Sequence, residues 1–191
     1  MKQDGSPDSS FGISGTLTVT VPNISNPDFV IFYLQSATDG SAYLIAQRKH
    51  CDTTPTYACR PIDGYLLRLT VNGQIDPSFG DHGRVMLPAT TIHTAFVESD
   101  GSIVTYQSRG STRLLVRYTK TGQPDTTFGV NGYAVGPQDI DTDNPIHVMQ
   151  IADTNTTYWW NSNSTGELGL WRYTQKSVVF RHSSLPIIGR Q

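Results

Sequence analysis

Four groups of residues have the types and spacing to do chemistry. The first is the run Asp139-Ile140-Asp141-Thr142-Asp143-Asn144. Alternating carboxylates resemble the start of a calcium loop, where oxygens converge on a hard cation. Such a loop carries Gly at its sixth position and Glu at its twelfth. Here those positions hold Asn144 and Gln150. An acidic connector ahead of Pro145 is therefore the first reading, and calcium at Asp139, Asp141 and Asp143 the second. The next group is Tyr158-Trp159-Trp160, with Trp171 further along. Adjacent residues of a strand face opposite sides, so Trp159 and Trp160 cannot share a face. One side would pack in the core; the other would meet a protein interface or stack on a sugar ring. Cys51 and Cys59 form the third group. They are local to one polar stretch and have no other cysteine to compete, so a disulfide is expected. No second Cys or His pair has the spacing of a zinc site. The last group is a repeated aspartate, at Asp8, Asp76 and Asp125.

That aspartate belongs to a pattern, Gly-x-x-Asp-x-[Ser/Thr]-Phe-Gly-x-x-Gly. It runs from Gly5 to Gly15, from Gly73 to Gly83 and from Gly122 to Gly132. Each copy holds Phe-Gly: Phe11-Gly12, Phe79-Gly80 and Phe128-Gly129. Gly permits the positive φ of tight turns, and Asp accepts backbone N–H bonds in an Asx turn. The Phe suits a plug between sheets. On these grounds all nine residues are structural, and the aspartates are turn residues before they are catalysts.

The elements that position these groups follow from the flanks. Leu66-Leu67-Arg68-Leu69-Thr70 precedes the second copy and Leu115-Val116-Arg117-Tyr118-Thr119 the third. Leu170-Trp171-Arg172-Tyr173-Thr174 matches both, yet no Asp or Phe-Gly follows it. Asp39-Gly40 and Asp100-Gly101 are hairpin signals between alternating stretches. Each unit thus reads as four short antiparallel strands, the grammar of a propeller blade. The expected fold is all-β: a β-propeller-like repeat of about three four-stranded antiparallel units. Units are expected near residues 28–88, 92–136 and 146–181 of a single repeat domain. Residues 2–21 are the end of a repeat. Their strand, Thr16 to Val21, would close the last unit beside Gly169 to Thr174 or pair with a neighbouring molecule. The tail from Ser177 to Arg181 is the alternative closing strand. Closed propellers typically have at least four blades, so this one is incomplete or is completed by oligomerisation.

The Arg-aromatic-Thr step and the motif together resemble the delta-60 repeat of bacterial proteins. Residues 2–21, 64–88 and 113–136 carry the resemblance. It implies a propeller-like architecture in bacterial surface or secreted proteins, and it brings no catalytic residues.

Composition narrows the function. Only 16% of residues are charged and the net charge is -2, which excludes a partner held mainly by phosphates, such as nucleic acid. No apolar run approaches the ~18–20 residues that insert across a bilayer. Catalytic signatures are missing: there is no Gly-x-Ser-x-Gly, no His-Glu-x-x-His and no phosphate loop. His50, His82, His93, His147 and His182 fall in unrelated contexts and read as surface or turn residues. The leading expectation is a non-catalytic binding or structural module of a bacterial surface or secreted protein, outside the cytoplasm. Its partner would be protein or a second copy, and it would need no cofactor beyond a possible calcium. A lectin-like propeller binding glycan is the alternative, and a hydrolase or lyase on the same scaffold the third.

Overall fold

The computed structural model describes residues 3–18, 29–51, 59–87, 91–136, 147–151, 156–162, 168–174 and 183–185. The chain forms two compact units, Met1–Ala89 and Thr90–Gln191. All of the described regular structure is β-strand, organised as three four-stranded antiparallel sheets.

The first unit holds one sheet, ordered β1 (Phe29–Ser36), β2 (Ala42–Cys51), β3 (Cys59–Leu69) and β4 (Arg84–Leu87). Asp39-Gly40 makes the first hairpin turn, with Gly40 at φ 80°. β2 and β3 reach further than their polar sequence suggests. The register runs from Ala42↔Leu69 to Cys51↔Cys59, so both ends of the cysteine stretch belong to the hairpin ladder, while residues 52–58 lie outside the described residues. One face of this sheet buries Leu44, Ala46, Tyr65, Leu67 and Leu69, and Leu17 and Ile75 pack onto it. At about 25 cal/mol per Å2 such a cluster is the main source of stability in a unit with so little charge.

Residues 16–18 do not form the strand that their alternation suggests. Thr16 makes an isolated bridge to Ile13, and Leu17 instead anchors the segment on the core of the first sheet. Residues 19–21 lie outside the described residues.

The second unit holds two sheets. One is β5 (Thr91–Val97), β6 (Ile103–Arg109), β7 (Thr112–Tyr118) and β8 (Tyr133–Val135), in that order. Phe96, Ile103, Val104, Tyr106 and Leu115 are its fully buried hydrophobic side chains. The other is β9 (His147–Ile151), β10 (Thr156–Ser162), β11 (Leu168–Thr174) and β12 (Ser183–Leu185). Its fourth strand, Ser183–Leu185, pairs with Leu168–Leu170, while residues 177–181, the alternative closing strand, lie outside the described residues. The first strands of the two sheets, β5 and β9, approach each other.

Candidate functional site

Each motif copy folds into the same loop. The Phe N–H donates to the Asp carbonyl at 3.0–3.1 Å, and the last Gly N–H donates to the Phe carbonyl at 2.8–3.0 Å. Four residues per copy have positive φ: in the second copy Gly73, Gly80, His82 and Gly83. A Cβ on Gly80 would lie 2.2 Å from the Arg84 carbonyl oxygen, and one on Gly129 2.1 Å from that of Tyr133. The Gly after Phe is thus required by its own loop rather than by a neighbouring sheet. Phe79 packs edge-on against Tyr43 of β2, with ring centroids 5.6 Å apart. Phe11 covers the turn of the next copy, where a Cβ on Gly73 would meet its ring at 2.6 Å.

The aspartates make the expected Asx turns. Asp76 Oδ1 accepts the Ser78 N–H at 3.0 Å and the Ser78 hydroxyl at 2.6 Å. Asp125 with Thr127 and Asp8 with Ser10 repeat this geometry. The other carboxylate oxygen has a second task. Asp76 Oδ2 takes Arg68 Nη1 at 2.9 Å, and Arg68 Nη2 reaches Asp39 Oδ2 in the first hairpin turn at 2.6 Å. In the next sheet Arg117 meets Asp125 at 3.4 Å and Asp100 at 2.7 Å. An arginine of the third strand thus ties the motif loop to the Asp-Gly-Ser turn of the same sheet. The second sheet adds Glu98, 3% exposed, whose Oε2 lies 2.8 Å from Arg117 Nε. Hydrogen bonds from Ser78 and Thr127 are the chief reason that Asp76 and Asp125 ionise below the usual carboxylate range; the arginines add to it. Asp39 is lowered chiefly by Ser41.

These clasps were not among the residues singled out from the sequence. The signal was present in the fixed place of Arg68 and Arg117 ahead of each motif and in the two Asp-Gly-Ser turns. His93, expected as a surface or turn residue, lies instead within β5 and is partly buried. It occupies an irregularity in the β5–β6 register between Ile92 and Thr94, and its Nε2 lies 2.8 Å from Ser108 Oγ. Burial, with Arg113 nearby, lowers its pKa to about 4, so it is neutral at pH 7.

The aromatic group is divided by the structure. Tyr158 and Trp160 alternate on β10 and are half-buried, and Trp160 stacks on the exposed His147 at 5.4 Å and 21°. The exposed Arg172 stands opposite Tyr158 in the ladder. Trp159 and Trp171 are cross-strand partners in register. Asp139, Asp141 and Asp143 lie outside the described residues. Among the described residues no group of three or more His, Cys, Asp or Glu is placed to hold a metal ion. Cys51 and Cys59 stand opposite one another at the end of the β2–β3 ladder.

Residues 61–79 match a family described as a domain of unknown function (DUF5122) beta-propeller. The match covers β3 from its third residue, with Arg68, and the second motif as far as Phe79. No curated protein matches the chain. The segment is therefore similar to a β-propeller repeat, in keeping with the four-stranded sheet to which it belongs.

Proposed function

We propose that this chain is a non-catalytic repeat module of the delta-60 type, working through protein–protein contacts at a bacterial surface or in a secreted protein. One observation carries the reading. The polar groups of the repeated loops, Arg68 with Asp39 and Asp76 and Arg117 with Glu98, Asp100 and Asp125, are committed to tying loops together. Asp39, Asp76 and Asp125, held ionised first by Ser41, Ser78 and Thr127 and then by the arginines, are poor proton donors at neutral pH. Meanwhile the motif and outer strand of the second sheet expose apolar side chains: Val130 is 76% exposed, Tyr133 48% and Val135 63%. Clustered apolar exposure beside a strand edge suits a protein partner. A disulfide joining Cys51 to Cys59 would suit life outside the cytoplasm, and the reading requires no cofactor.

The experiment is a protein array run beside a glycan array. A protein ligand that Tyr133→Glu or Val135→Glu abolishes, with unchanged melting temperature, supports the proposal. Turnover by the purified chain that disappears with Asp125→Asn in a folded variant would overturn it. The His147–Trp160 stack beside Tyr158 favours a second reading, glycan binding. Glycan capture lost on Trp160→Ala would establish that reading instead.

A further inference from the structure

We infer that the third sheet, at Arg172 and Tyr158, binds an acidic segment of a partner protein, with an Asp or Glu carboxylate on Arg172. The first two sheets show what an arginine in this position takes. Arg68 stands opposite Tyr43, Arg117 opposite Val104 and Arg172 opposite Tyr158, each in the ladder of its own sheet. Arg68 pairs with two carboxylates, Asp39 of the hairpin turn and Asp76 of the motif. Arg117 pairs likewise with Asp100 and Asp125. The motif also covers the residue opposite the arginine. Phe79, three residues after Asp76, packs on Tyr43, and the Arg68 guanidinium lies 5.8 Å from the same ring. Tyr43 is left 3% exposed and the Arg68 side chain 20%.

In the third sheet the same pair is uncovered: Arg172 is exposed and Tyr158 half-buried. In the first two sheets the motif lies between the third and fourth strands. Here that interval is Gln175 to His182, which contains Lys176 and Arg181 and no Asp or Glu. From Leu168 to Leu185 the chain has three cations and no acid. The β9–β10 turn holds one acid, Asp153, which lies outside the described residues and corresponds to Asp39 and Asp100. The carboxylate that Asp76 and Asp125 supply has no counterpart in the connector. Charge complementarity therefore calls for an acid from another molecule. Among the described residues β12 pairs only with Leu168–Leu170, so the β11 edge beside Arg172 can take an extended backbone as well. A protein segment uses both the guanidinium and the strand edge; a sugar acid would use only the first. An aromatic three residues after the acid, spaced as Phe79 is from Asp76, would complete the fit on Tyr158.

The inference rests on the proposed protein-binding role and adds a partner chemistry and a site distinct from Tyr133 and Val135. The probe is a fluorescein-labelled peptide of residues Gly122–Gly132, titrated with the full chain and read by anisotropy. Wild type is expected to bind it, more weakly as salt rises. Arg172→Gln, with unchanged melting temperature, should bind it about tenfold or more weakly. The peptide's Asp125→Asn form should lose as much affinity for wild type, which tests the carboxylate without altering the protein. Tyr133→Glu should leave peptide binding intact. Wild type that ignores the peptide, Arg172→Gln or the Asp125→Asn peptide binding as well as their parents, or binding that Tyr133→Glu abolishes overturns the inference. Polygalacturonate captured through Arg172 while the peptide is not would overturn it in favour of an acidic glycan. Peptide binding that fails while Tyr133-dependent protein binding persists removes this inference alone.

Discussion

At the scale of single residues, charge is scarce and concentrated. Arg117 sits among Glu98, Asp100 and Asp125, and Glu98 is buried. Removing one member of a buried charge group strands the rest in a medium that solvates them poorly. Arg117→Ala should therefore cost about 3 kcal/mol in urea unfolding, chiefly by orphaning Glu98. Arg68→Ala should cost about 1–2 kcal/mol, because the equivalent of Glu98 in the first sheet is Ala37 and no buried carboxylate is left behind. Equal losses from the two substitutions would refute the role given to Glu98. His82 tests backbone rather than charge. Its φ is 51° although it is not glycine. His82→Gly should stabilise the fold by about 0.5–1 kcal/mol, and His82→Val should destabilise it by more than about 1 kcal/mol.

At the scale of the element, the motif loop and the hairpins behave differently. Gly129→Ala drives a Cβ into a backbone carbonyl that cannot step aside, and should cost about 2–4 kcal/mol. Gly110 has a similar φ, 61°, but nothing within 4 Å of its would-be Cβ. Gly110→Ala should then cost only about 1 kcal/mol. Similar losses at the two glycines would show that φ alone matters. The β2–β3 hairpin offers a further test through Cys51 and Cys59. A bridge closing so short a loop stabilises by about 2–3 kcal/mol in the chain-entropy view. Native protein should give no free thiol with a thiol reagent, and reduction should lower the melting temperature.

Much of this level was legible in advance, for physical reasons. The motif stands out because left-handed backbone admits few residues other than glycine, so the loop writes itself into the sequence. Asp-Gly marks the hairpins on the same principle. The strand limits were less visible where polar residues such as Arg48 and Asp63 extend a ladder; they do so as an ion pair across the hairpin. Residues 16–18 misled because alternation alone does not make a strand, and Thr16 bridges to Ile13 instead. The arginine clasps escaped because Asp39 and Arg68 lie 29 residues apart and meet only on folding.

For the whole molecule, stability should depend on pH in two windows. His93 has a folded pKa lowered to about 4 from 6.5. The unfolded chain then binds more protons between those values, and stability falls as the pH drops through that range. The loss should be about 1–2 kcal/mol once partial exposure is allowed for. His93→Phe should flatten this part of the profile, since the first sheet carries Phe32 at the corresponding irregularity of its register. Asp39, Asp76 and Asp125 are also depressed, from 3.8, so their contribution is present above that value and disappears only at lower pH. Melting temperatures measured from pH 7 to pH 3 should thus fall in two stages. A single stage below pH 4 would mean that His93 is not buried as described.

The motif's handedness reaches beyond mutation. At four places in every copy the backbone follows the course natural to a D-residue, and at Ser14, His82 and Asn131 an L-residue has been forced onto it. For a chain made by chemical ligation, mirror-image amino acids at these three places would relieve the strain, whereas the same inversion in the strands would tear the ladders. The repeat is in effect a short stretch of opposite chirality, written with the one achiral letter that ribosomes possess.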